Sequence, residues 1–223
     1  MQINPIPTEQ TTALTDGLLA VYSFVVVVSL WHRRSMAPLK TRLWIGVFAG
    51  LALAGGLGTA FHGLELDEVG EQLLWQPLRA ALGFTVACIV AAAVLDRWGQ
   101  AAARRVFPGL ILLSAGFLLF GAFVSEAFLG FIIYEGAAML FCLWVYATLA
   151  LRRSLPGAVW MFVGVVLTLT AAAIQTLDFI SFTLFLPFNS NGAFHLIQLI
   201  ALTAFWAGLR QTRLMLLSMP RPA

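Results

Sequence analysis

Seven long apolar runs, separated by short polar stretches, occupy most of the chain, at roughly 13–31, 43–62, 73–95, 106–124, 129–151, 158–180 and 192–209. Each is long enough, as a helix, to cross about 30 Å of hydrocarbon. The pattern predicts an all-α fold: one seven-helix transmembrane bundle spanning residues 1–223. Pro77, Pro108 and Pro156 fall near the starts of spans, where a missing amide hydrogen costs little. Trp31, Trp44, Trp75 and Trp98 fall near span ends, where amphipathic rings favour the membrane interface. The third span has two readings: a start near 73, or a start near Glu68 with Pro77 kinking the helix.

Composition strengthens the membrane reading. Apolar residues make up 61% of the 223 positions and charged residues only 10%, against about a quarter charged in a soluble domain. A net charge of +3 invites an acidic partner, but its distribution points elsewhere. Arg33, Arg34, Lys40 and Arg42 fill the first loop, Arg97, Arg104 and Arg105 the third, Arg152 and Arg153 the fifth, and Arg210, Arg213 and Arg221 the tail. All basic residues but Arg79 therefore share one face, while Glu9, Glu65, Asp67, Glu68, Glu71 and Glu126 share the other. The positive-inside rule makes the basic face cytoplasmic, with the N-terminus outside and the C-terminus inside. Membrane lipid, not nucleic acid, is the expected surrounding partner. Cys88 and Cys142 lie inside apolar runs and read as small buried hydrophobes. No cleaved signal peptide is expected, because Glu9 and Asp16 stand where a basic leader would lie.

Polar residues inside the spans carry the candidate chemistry. Arg79 in the third span and Glu135 in the fifth would each cost about 2.5–3.5 kcal/mol unpaired at mid-membrane. The two are therefore expected within direct or water-bridged reach, either as a structural ion pair between helices or as part of a polar cavity. In the second span Gly46, Gly50, Ala54, Gly58 and His62 recur every fourth residue. Such a small-residue stripe faces another helix rather than lipid, which turns His62 into the bundle. Gln72, Gln76 and Arg79 share a face of the third span; Gln175 and Asp178 lie three apart on the sixth; Asn191, His195 and Gln198 share a face of the seventh. These clusters lie toward the extracytoplasmic ends of their spans. They predict one polar, His-containing cavity there.

Three segments also resemble the superfamily of alkaline ceramidases and progestin/adipoQ receptors, which are seven-helix membrane proteins. Gly56-Leu-Gly-Thr-Ala-Phe-His62 is similar to its helix 2 motif, with Thr59 in place of Ser. Gln72-Leu-Leu-Trp75 is similar to its helix 3 segment, with Trp75 where an Asp belongs. Asn191-Gly-Ala-Phe-His195-Leu is similar to its helix 7 motif, with Asn191 in place of the first His. The chain further resembles a group of bacterial seven-helix proteins with Asn-x-x-x-His-x-x-Gln on the last helix, which implies a bacterial inner membrane. The superfamily resemblance implies zinc held by His62 and His195, with Asp178 or an acid of 65–71 supplying a third ligand. Zinc-bound water would then be the nucleophile, positioned by Thr59 or Gln198, in hydrolysis of a lipid or other amphiphile. The same cavity without metal would serve a receptor or small-ligand binder. Two facing histidines would also suit a bis-histidine haem.

Overall fold

The computed structural model describes residues 2–32, 38–123, 127–177 and 180–218. Its helices are α1 (Pro7–Trp31), α2 (Pro38–Gly63), α3 (Glu68–Trp98), α4 (Gln100–Phe123), α5 (Ala127–Leu151), α6 (Ala158–Leu177) and α7 (Ser190–Ser218). Each of the seven includes a stretch long and apolar enough to cross a membrane. Every helix also turns large apolar side chains outward, among them Val21, Leu53, Phe84, Leu112, Leu140, Val159 and Ile200. Water would penalise such a belt; hydrocarbon does not. An all-helical architecture with seven such helices fits a multi-pass membrane protein.

Local chemistry decides the boundaries that hydropathy left open. Asp67 caps α3 by accepting the Gly70 amide at 2.9 Å, and Glu68 and Glu71 place negative charge against the first turn. The third helix therefore starts at Glu68, and Pro77 lies inside it. Pro108 likewise lies inside α4, not at its edge, and of the three only Pro156 lies just ahead of a helix, two residues before Ala158. At the other end of α3, Gly99 adopts φ 85°, which lets the chain turn at once into α4.

The helices close a ring in chain order, with α7 packing on α1 and α3 also touching α5. Two short β-ribbons finish one end of the bundle. Gln2–Ile3 pairs antiparallel with Leu64–Glu65, tying the start of α1 to the end of α2. Phe182–Thr183 pairs with Pro187–Phe188 ahead of α7, with the two phenylalanine rings stacked at 5.1 Å. We call this the ribbon end.

The opposite half has a hollow of about 310 Å³ at its edge, between α2, α3 and α4, but its centre is filled. Trp44, Phe48, Tyr146, Met161, Val165, Leu202 and Phe205 are completely or almost completely buried there. Trp44 thus belongs to the core, its ring 5.4 Å from that of Phe205, and does not sit at an interface as its position near a span end suggested. Cys88 and Cys142 are free and buried. Below them Lys40 Nζ meets Asp96 Oδ1 at 2.7 Å, and the Tyr146 hydroxyl donates to Asp96 Oδ2 at 3.2 Å, joining α2, α3 and α5. The small-residue stripe of α2 serves two neighbours. A Cβ at Gly46 would lie 2.7 Å from Cys88 Sγ of α3, whereas one at Gly58 would lie 2.6 Å from Asp16 Oδ2 of α1.

Candidate functional site

Toward the ribbon end the packing opens into a cavity of about 490 Å³ bounded by α1, α2, α3, α5, α6 and α7. Its polar lining comes first from α1, which the sequence reading left out. Glu9 and Asp16 are seven residues apart, two helical turns, and so lie on one face. Thr11, Thr12 and Thr15 between them return their hydroxyls to carbonyls three or four residues back, so α1 carries these polar groups through an apolar span without orphaned donors.

Each histidine is held by α1. His195 is buried, with Nδ1 2.9 Å from Thr15 Oγ1 and Nε2 3.3 Å from Asp16 Oδ1. The Thr15 hydroxyl also lies within donating distance of the Thr12 carbonyl, at 2.9 Å. With its one proton there, it accepts from Nδ1–H, and Nε2 and Asp16 then need one proton between them to attract. His62 Nδ1 lies 2.6 Å from Glu9 Oε2, and these two side chains keep 16% and 26% exposure at the mouth. Phe61 packs edge-on against His62, and its ring lies 5.3 Å from that of Trp75.

The remaining polar lining is Glu135 from α5, Gln175 from α6, and Asn191 and Gln198 from α7. Gln175 Nε2 donates to Asn191 Oδ1 at 2.8 Å, which bridges α6 and α7. Gln198 is only 7% exposed, and its Oε1 has no hydrogen-bond partner among the described residues. An orphaned acceptor of this kind costs about 1–3 kcal/mol until a donor reaches it.

Both histidines thus line one cavity, together with Glu135, Gln175, Asn191 and Gln198. The other sequence candidates lie elsewhere. Thr59 is not part of the lining; its hydroxyl donates to the Gly55 carbonyl at 2.8 Å, and it lies against Gly17 of α1. Gln72 and Gln76 face outward. Arg79 is buried, its Nε has no hydrogen-bond partner, and no direct ion pair joins it to Glu135. The reason is orientation: α3 lines the cavity with Leu78 and Leu82, and Arg79 is not part of that lining. Asp178 lies outside the described residues.

The donor set does not fit the zinc site that the ceramidase resemblance implies. Nδ1 of His195 already faces Thr15, and Nε2 faces the single carboxylate of Asp16, which leaves two donors where catalytic zinc usually takes three from the protein. Trp75 leaves α3 without the expected carboxylate, and the one beside His195 comes from α1. Among the described residues no three His, Cys, Asp or Glu side chains are grouped to hold a metal ion.

No curated protein and no solved structure matches the chain. A family model described as "Family of unknown function (DUF6962)" matches residues 11–214, from the polar face of α1 to the end of the apolar part of α7, and the chain belongs to that family.

Proposed function

We propose that this protein binds a small molecule in the ribbon-end cavity, without a metal, from the extracytoplasmic side of the membrane. The observation that carries the reading is a ligand-sized void whose wall carries buried and half-buried polar side chains from α1, α6 and α7: Asp16, Gln175, Asn191, His195 and Gln198. Binding pockets are commonly cavities of about 300–1,000 Å³, mostly apolar with a few fixed polar groups. Here the fixed groups are His195, locked by Thr15 and Asp16, and the Gln175–Asn191 bridge. The buried half is closed at its centre by Trp44, Phe48, Met161, Leu202 and Phe205, which supports a receptor or binder over a conduit. The charge pattern supports the orientation: the mouth lies at the acidic end and the filled half toward the arginines.

Native mass spectrometry of the protein in native-lipid discs, paired with metal analysis, tests this. A small-molecule adduct is expected on the wild type and absent from Ala54→Trp, which fills the cavity, with metal well below one ion per chain. Stoichiometric zinc lost from the variant carrying His62→Ala and His195→Ala would replace binding with metal-dependent hydrolysis.

A further inference from the structure

Resting on the binding reading, we propose that the ligand is a compact organic cation, a protonated amine carrying an apolar group. Charge is the first argument. The cavity wall includes the carboxyl groups of Asp16 and Glu135 and no lysine or arginine. Glu135 has no ion-pair partner among the described residues. Both histidines already face carboxylates of α1, Glu9 and Asp16, so any charge they carry is answered there. Because Asp16 and His195 answer each other, an anion entering this space would meet the carboxyl group of Glu135 and no free cation, at the reduced dielectric that strengthens the repulsion. A neutral alcohol would leave Glu135 without a counter-charge.

Hydrogen bonding is the second argument. Gln198 lines the cavity with its unpartnered Oε1 held inside the wall; turning that amide inward gives Oε1 a donor, which an ammonium offers up to three times and a carboxylate or ether cannot offer at all. Shape is the third. Phe61, Trp75 and Phe194 line the same cavity and offer aromatic faces and edges to an apolar substituent or to the cation itself.

The test is calorimetric titration of the full-length protein in detergent with 2-phenylethylamine, 2-phenylethanol and phenylacetate, which share a ring and differ chiefly in the head group. The amine should bind about tenfold or more tighter than the alcohol, and phenylacetate should not bind. Glu135→Gln should weaken the amine about tenfold and leave the alcohol unchanged. Gln198→Glu, which adds a second wall charge, should tighten the amine; it keeps the test decisive if Glu135→Gln fails to fold. Equal or preferential binding of the alcohol or the acid overturns the amine inference while the binding reading stands. Silence from all three also overturns it, and the native adduct then decides the binding reading separately.

Discussion

Gly58 shows how one missing side chain shapes the site. Its position on α2 is occupied from across the helix pair by the Asp16 carboxylate, the group that faces His195. Gly58→Ala would drive a methyl into that carboxylate, so it should cost about 1–3 kcal/mol through the forced shift and abolish the native adduct as well. Gly56 lies two residues away with nothing within 4 Å of a built Cβ. Gly56→Ala should leave binding intact and gain up to about 1 kcal/mol from helix propensity. Thermal melts of the two variants in one detergent check the contrast; equal losses would mean that Asp16 does not approach α2 as described.

Arg79 supplies the second prediction at this scale. Its Nε is buried without a partner, and Glu135 points to the cavity instead of to it. Arg79→Gln and Glu135→Gln should therefore give additive changes in melting free energy, within about 0.5 kcal/mol. A larger coupling in the double-mutant cycle would show that the two charges meet.

Among the elements, the tie between α2, α3 and α5 is the strongest candidate for a structural polar cluster. Lys40 and Asp96 have side chains only 14% and 4% exposed. Removing one partner strands a buried charge, so Lys40→Met or Asp96→Leu alone should cost about 3–5 kcal/mol, and the two together much less. Denaturant titration of both singles and the double checks this, and full additivity would count against the ion pair.

The seven spans were legible because each is apolar over most of its length, so hydropathy alone reports them. The start of α3 was legible only through its cap, where Asp67 and the acids beside it outweigh the breaking effect of Pro77. His62 and His195 could be assigned to a common cavity because α2 announces its packed face with small residues and α7 with a polar one. The partners of those histidines were not legible. They come from α1, which meets α7 only when the ring closes, and no periodicity within either helix reports that contact. Glu9 and Asp16 did leave a trace, two acids on one face of a threonine-rich apolar helix. Glu135 lines the cavity, Arg79 does not, and no direct ion pair joins them, because similar depth in two spans does not fix the direction in which each side chain points.

Across the whole molecule, the two halves of the bundle differ in kind. One is filled by large side chains from Trp44 to Phe205 and tied by Lys40 and Asp96; the other is hollow, its wall assembled from six helices, five of which supply polar side chains. A protein built this way can present a rigid pocket to one side of a membrane while its other half remains sealed. Single cysteines on a background lacking Cys88 and Cys142 test that division directly. Ala54→Cys and Gln198→Cys lie on the cavity wall, and Val47→Cys and Leu202→Cys lie in the filled half. A small, charged, membrane-impermeant thiol reagent applied to intact cells should modify positions 54 and 198 and spare 47 and 202 until the protein is denatured. Modification of 54 and 198 only in inside-out vesicles, or equal reactivity at all four positions, would contradict the account.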